Sequence, residues 1–287
     1  MTRKKIALVG ATGMLGQPVT HALIRTGYPV RLLVRDSPKA QGLFGNSPEY
    51  VVGDLRDLQV LDTFLRGQDV LYLNLSVDPT SRVNDFQAER EGLENVLLAV
   101  KKAGIKRVIY LSSLVQFHRA PSWWVWDIKR AALLQIMNAD IPYTIFYPST
   151  FMESFVKGAY RQGNFITLAG HSRVPMHLIA GEDYARQVLR SIEIDTESKA
   201  YYVQGKECFT ADEAAGIVAK NYSKTALKIV KMPIGILRCL GYFSPKMNYG
   251  YHMLSALNSY PEEFVAADTW QRLGEPEISF VEYLQKA

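Results

Sequence analysis

Ile6-Ala7-Leu8-Val9-Gly10-Ala11-Thr12-Gly13-Met14-Leu15-Gly16 is the stretch that decides the fold. The apolar run Ile6 to Val9 reads as a strand buried on both faces. The glycine-punctuated turn after it reads as the passage into a helix whose free N–H groups face a pyrophosphate. Gly10 permits the tight turn, Gly13 lets the backbone approach the phosphates, and Gly16 brings the helix close to the sheet. Gly10, Thr12, Gly13, Met14, Leu15 and Gly16 are therefore the first expected cofactor-binding residues.

Working outward, the same grammar repeats. Helices are expected at residues 17–26, 58–65, 86–103 and 129–138. Strands are expected at 30–34, 50–54, 69–74, 105–112 and 143–147. Pro18 falls in the first turn of its helix, where its missing N–H costs little, and Gly27 follows as a C-cap. This alternation predicts an α/β fold: a Rossmann-type, doubly wound parallel sheet with right-handed crossovers. Beyond Pro148 the alternation loosens. Helices are expected at 151–160, 183–192 and 210–222, the last capped by Thr210 with Asp212 and Glu213 in its first turn, and a strand at 199–204. Residues 1–150 thus read as the dinucleotide-binding core. Residues 151–287 read as a smaller, mostly helical C-terminal lobe for substrate or partner, with some segments returning to the core sheet. Its tail is rich in aromatics and methionine, which either cover a substrate or pack the lobe itself.

Composition narrows the function classes. The 287 residues are 48% hydrophobic, enough for one large domain or a core with a lobe. No apolar run reaches the length of a membrane span. The basic start Met1-Thr2-Arg3-Lys4-Lys5 leads into a strand rather than a signal-peptide core, so a cytoplasmic location is expected. Cys208 and Cys239 are the only cysteines, and the five histidines form no compact ligand motif, which argues against a disulfide scaffold or a metal enzyme. The net charge of +5 suits anionic cofactors. No nucleic-acid module accompanies it, so no nucleic-acid partner is expected.

The second strand chooses the nucleotide. NAD sites usually end this strand with an acid that receives the ribose hydroxyls. Here Val34 is followed by Arg35, a bidentate partner for a 2′-phosphate, and Lys39 adds a second cation. Asp36 is the competing residue, able to serve a ribose hydroxyl. The balance favours NADP over NAD. Asp54 is placed to accept from the adenine amino group or to act as a turn residue, with Leu55 beside the ring. Asn74 and Leu75 leave the fourth strand where their backbone borders the ribose.

GATGMLG at 10–16, LLVRDSPK at 32–39, VVGDLRD at 51–57 and the lysine helix leading to YTIFYPSTFMES at 143–154 resemble the NmrA-like group of atypical short-chain dehydrogenases/reductases. The resemblance implies a Rossmann domain with a smaller substrate lobe. Members with arginine at the position of Arg35 typically favour NADP. The group includes reductases of quinones and plant phenolics, NADP-binding redox sensors without catalysis, and assembly factors of photosynthetic or respiratory complexes. By the same resemblance, Tyr147, Pro148 and Phe151 border the nicotinamide. Tyr147 stands where relatives often carry arginine.

Ordinary members of the wider superfamily use a Tyr-x-x-x-Lys pair, in which lysine lowers the tyrosine pKa and holds the nicotinamide ribose. Here Val125 lies four residues before Lys129, so the tyrosine is absent. Lys129 resembles the lone helix lysine of the group's reductases and is the first catalytic candidate. Ser113, at the end of the fifth strand, is placed to hydrogen-bond a substrate carbonyl or to satisfy backbone. His118, in the adjoining loop, is an acid/base candidate. Trp123, Trp124 and Trp126 precede Lys129. With Val77 and Phe151, the first two are expected to wall a pocket for a flat aromatic substrate, or else to anchor a protein partner. The expected function is an NADP-dependent oxidoreductase of a small aromatic, quinone-like or carbonyl substrate. The alternative is a non-catalytic NADP sensor or interaction factor.

Overall fold

In the computed structural model, which describes residues 3–117 and 122–287, the residues of the first strand alternate between two separate cores. Ile6 and Leu8 point into one, Ala7 and Val9 into the other, as a pleat of period two requires. This strand is β1 (Ile6–Val9). It is followed by α1 (Gly16–Arg25), β2 (Val30–Val34), α2 (Ser37–Phe44), β3 (Glu49–Val52), α3 (Leu58–Leu65) and β4 (Val70–Leu73). A π-helical turn, Ala88–Gly92, leads into α4 (Leu93–Ala103). Then come β5 (Arg107–Leu111), α5 (Trp124–Met137) and β6 (Tyr143–Pro148).

The lobe adds α6 (Glu153–Val156), β7 (Arg161–Gln162), β8 (Phe165–Ala169), β9 (Met176–His177), α7 (Gly181–Ile194) and β10 (Lys199–Val203). It continues with β11 (Cys208–Phe209), α8 (Ala211–Asn221), β12 (Lys228–Met232), α9 (Ile234–Gly241), α10 (Pro245–Leu257), α11 (Ala267–Leu273) and α12 (Phe280–Lys286).

The central sheet has seven parallel strands in the order β10-β6-β5-β4-β1-β2-β3. Strand order reverses between β1 and β4, and the crevice outside their carboxyl ends is where such sheets bind ligands. Helices α1 and α7 cover one face, where the Tyr72 and Tyr184 hydroxyls meet at 3.1 Å. Helices α3, α4 and α5 cover the other. A third apolar cluster, built on Phe155, Tyr160, Ala214 and Phe280, holds the lobe together.

Residues from beyond 150 complete the sheet. Strand β10 pairs with β6 from Lys199–Thr144 to Val203–Pro148. A buried polar clamp secures this edge. Arg107 donates to the carbonyl oxygens of Tyr143 (3.2 Å) and Glu197 (2.9 Å) and to Thr144 Oγ1 (3.0 Å). Asp195 accepts from Thr144 Oγ1 (3.1 Å) and Tyr201 OH (2.7 Å). Each buried charge or hydroxyl thus has partners, which offsets its desolvation.

Two expectations need correction. The helix expected over 86–103 begins as a π-turn, which shifts the register ahead of α4. The helix expected over 151–160 closes after Val156, because Arg161 and Gln162 enter a short antiparallel pair with β8. Helix α2 is an addition: its N-cap is Asp36, and Pro38 stands in its first turn.

Candidate active site

The β1–α1 turn is built by close backbone approach. Gly10 has φ +81°, and a methyl group there would collide with the Asn74 carbonyl oxygen at the exit of β4. A methyl at Gly16 would strike the carbonyl oxygens of Gly10 and Ala11. A Cβ at Gly13 would lie 3.2 Å from the Gly10 oxygen and 3.7 Å from Asn74 Nδ2. The Gly13 amide donates to Gly10 O (3.1 Å), and the Gln17 amide donates to Gly13 O (3.1 Å). The amides of Thr12, Met14 and Leu15 donate to no acceptor among the described residues. A bare backbone floor with free donors, set at the strand-order reversal, is the cradle a pyrophosphate requires.

At the end of β2, Asp36 serves as a helix cap. The Asp36 carboxylate accepts from the Lys39 amide at 3.0 Å and so closes the N-terminus of α2. Arg35 and the Lys39 side chain stand exposed. Asp78 is held below the usual carboxylate range by the Thr80 hydroxyl and amide, with the Arg35 charge contributing. Asp54 is a turn residue that accepts from the Arg56 amide at 3.0 Å. Leu55 and Leu75 are buried in the core beneath α4, and the Leu55 carbonyl accepts from Asn95 Nδ2 at 2.9 Å. The Leu55 side chain therefore packs against protein rather than standing open beside a ring.

Lys129 is buried on α5. Its Nζ donates to Glu89 Oε1 at 2.8 Å, and Tyr110 OH donates to the same oxygen at 2.7 Å. Glu89, on the π-turn, is wholly buried, and its Oε2 has no partner among the described residues. Burial, then the Glu89 charge, pushes the Tyr110 phenol well above its ordinary value. The cluster offers a fixed ammonium and one open acceptor. Glu89 was legible in principle: it lies on the buried stripe 89-93-96-100 of the helix, where a carboxylate needs a partner. Ser113 Oγ accepts from the Val115 amide at 3.3 Å, and its hydroxyl donates to no acceptor among the described residues. Ser112 is buried and accepts from Gln116 Nε2 at 3.0 Å. His118 lies outside the described residues.

The tryptophans divide between core and cavity. Trp126 and Val77 are buried in a cluster with Val115, Val125 and Ala256. Trp123 stacks on His252 with centroids 5.0 Å apart and meets Tyr249 edge-on at 5.1 Å. Trp123 and Trp124 line a cavity of 310 Å³ with Arg82, Tyr242, Phe243 and Tyr249. Burial pushes the Tyr249 phenol up to about 12, with the charges of Glu89 and Asp78 adding to the shift. Tyr249 therefore stays protonated at neutral pH. The expectation that Phe151 and Val77 wall this pocket is corrected. The Phe151 ring packs edge-on against Tyr184 in the sheet core, at 5.5 Å, while Val77 is sealed behind Trp126. The Tyr147 ring is likewise buried, between Phe117 and Tyr202. Pro148 is buried as well. Any contact of Tyr147, Pro148 or Phe151 with a nicotinamide would be through backbone.

With this geometry in view, comparison with known proteins is informative. The model of the NmrA-like family matches residues 2–269. The photosystem II assembly factor Ycf39 of Synechocystis is 26% identical over 255 residues, spanning 86% of this chain and 76% of that protein. Quinone oxidoreductase 2 of Escherichia coli is 28% identical over 250 residues, spanning 80% of this chain and 84% of that one. The crystal structure of the Escherichia coli NADPH-dependent quinone oxidoreductase QOR2 with NADPH superposes with a TM-score of 0.74 at 22% identity, covering 98% of this chain and 99% of that one, a likeness of fold.

Proposed function

Because the chain belongs to the NmrA-like family, we propose that it is an NADPH-dependent oxidoreductase acting on a small aromatic, quinone-like acceptor. The observation that carries this reading is the buried ammonium of Lys129, fixed by Glu89, on the same helix whose N-cap Trp123 and first residue Trp124 line the aromatic cavity. The glycine turn fits a dinucleotide, since the amides of Thr12, Met14 and Leu15 are left without an acceptor among the described residues. Arg35 and Lys39 suit a 2′-phosphate, and Asp36 has one carboxylate oxygen engaged in its cap. NADPH, when bound, supplies the hydride.

The chain's own residues do the rest. Lys129, oriented by Glu89, holds ribose hydroxyls through its remaining N–H groups. Ser113 and the neutral Tyr249 phenol donate hydrogen bonds to the acceptor oxygen on which negative charge develops. Trp123 and Trp124, set edge-on to one another, give the cavity an apolar wall for a flat ring and exclude water. A quinone needs only the hydride and one proton to reach the quinol, so the missing tyrosine at position 125 is tolerable.

The test is calorimetry with NADPH and NADH, using Arg35→Ala as the control, followed by quinone-dependent oxidation of NADPH. The expected result is tighter NADPH binding, weakened at least about tenfold by Arg35→Ala, with turnover on quinones. Binding without turnover on quinones or carbonyl compounds would favour a second reading, a nucleotide-bound interaction or assembly factor. Val125 in the tyrosine position supports that reading, as does the similarity to Ycf39. Absence of binding to either nucleotide would sink both.

A further inference from the structure

Between Glu213 and Glu262 the chain contains no acidic residue, yet it carries Lys220, Lys224, Lys228, Lys231, Arg238 and Lys246. These six cations exceed the net charge of +5 of the whole protein, so the rest of the chain is slightly acidic. The same segment forms the α9–α10 hairpin. Leu237 faces inward, and the helices approach so closely that a Cβ at Gly241 would lie 3.0 Å from Asn248 Cα. Outward, Ile236 is 51% exposed, Leu240 45%, Tyr242 75% and Phe243 89%. Ile236 and Leu240 share a helix face at i, i+4, and Phe243 extends the line into the tip. Leaving side chains of this size in water forgoes their burial, which marks an interaction surface. Arg238 and Lys246 flank the ridge, are exposed, and make no salt bridge among the described residues.

We propose that the α9–α10 tip docks the protein on an anionic lipid surface, with the aromatic ridge inserted among the headgroups and the cations against lipid phosphates. Lys231 is paired with Asp212, but apolar and aromatic side chains flanked by Arg238 and Lys246, in a segment of sequence without acidic residues, have the composition of an interfacial element. A bilayer demands no matching shape, whereas an acidic protein partner needs paired hydrogen bonds, and between the cations the tip presents mainly apolar side chains, with the exposed Tyr242 phenol suited to the headgroup level. Tyr242 and Phe243 also border the aromatic cavity, so a docked tip holds the cavity rim at the membrane surface.

The experiment is sedimentation of the full chain with vesicles of phosphatidylcholine alone and of phosphatidylcholine mixed with phosphatidylglycerol. Nucleotide binding is followed separately on each protein. The expected result is binding to the mixed vesicles only, weakening at high salt. Arg238→Glu and Lys246→Glu should each lower the partition at least about fivefold, and Ile236→Ser and Leu240→Ser should lower it too, all with nucleotide affinity unchanged. Equal binding to neutral vesicles, binding indifferent to the charge reversals, or no binding by a protein that still takes nucleotide would each overturn the proposal. So would a concentration-dependent dimer dissociated by Leu240→Ser, because a second copy would then cover the ridge.

Discussion

At the β1–α1 turn a methyl group has nowhere to go, because Gly10 faces the Asn74 carbonyl and Gly16 faces the carbonyl of Gly10 itself. At Gly216 in α8 and Gly235 in α9, the same methyl would enter open space. The turn is shaped by backbone meeting backbone. The core of the lobe holds side chains meeting side chains, as in the stack of Phe155 on Tyr160 at 4.4 Å. A rule of substitution follows for these positions: in the turn small residues are obligatory, and at Gly216 and Gly235 they are merely permitted.

The strongest way to break this comparison is Gly10→Ala. It adds a positive-φ penalty to a collision, and the loss is expected at or beyond the ~4–5 kcal/mol tail of single substitutions. Urea unfolding and nucleotide titration read it, and a loss below ~1 kcal/mol would refute the backbone-limited picture.

Next comes a charged pair buried within the first half of the chain. Lys129→Met strands the wholly buried Glu89 carboxylate and should cost about 3–5 kcal/mol, with most of it recovered when Glu89→Gln is added. Failure of the double variant to recover stability in a double-mutant cycle would show that the pair is not the source of the loss.

A third test concerns pH. Burial raises the Glu153 carboxyl from 4.5 to about 7. It sits between α1 and the start of α7, accepting from the Gly181 amide at 2.9 Å. The folded protein therefore holds this proton where the unfolded chain has released it. The contribution is full below about 4.5, declines as pH rises, and is lost above about 7, a change of up to ~3 kcal/mol. Melting temperatures from pH 5 to pH 8 should fall in the wild type relative to Glu153→Gln, and parallel curves would remove Glu153 as the cause.

The smallest effect has the opposite sign. Gly216→Ala, inside α8 with open space before it, should gain ~0.5–1 kcal/mol. A destabilised variant would mean the lobe is packed as tightly as the turn.

What the sequence disclosed follows the same division. The strands of the nucleotide half are short apolar runs bounded by turns, so their presence, order and parallel character are local properties. The cradle was legible because its glycines are dictated within one turn. Glu89 and Tyr110 were harder: their roles depend on a contact across forty residues, from the π-turn to Lys129 on α5. The edge strand β12 and the hairpin beyond it have little local signature, since aromatics such as Tyr249 and Tyr251 read equally as core, cavity wall or surface. The fate of Asp36 turned on a cap that required α2, a short helix with a weak apolar pattern. Phe151 was misassigned because proximity in sequence to the sixth strand does not say which way a ring points.

The clamp of Arg107, Thr144, Asp195 and Tyr201 has a consequence for how such proteins can be recombined. A crossover placed near residue 150, between function-defined halves, would oblige β6 to pair with a β10 from a different parent and put the contact of Arg107 with the Glu197 carbonyl across the join. A chimera that exchanges substrate lobes between relatives would have to keep Gly181–Val203, α7 through β10, with the parent that supplies β5 and β6. Modularity in this molecule is discontinuous: the exchangeable cassette is two separate stretches of chain, before and after the stitch.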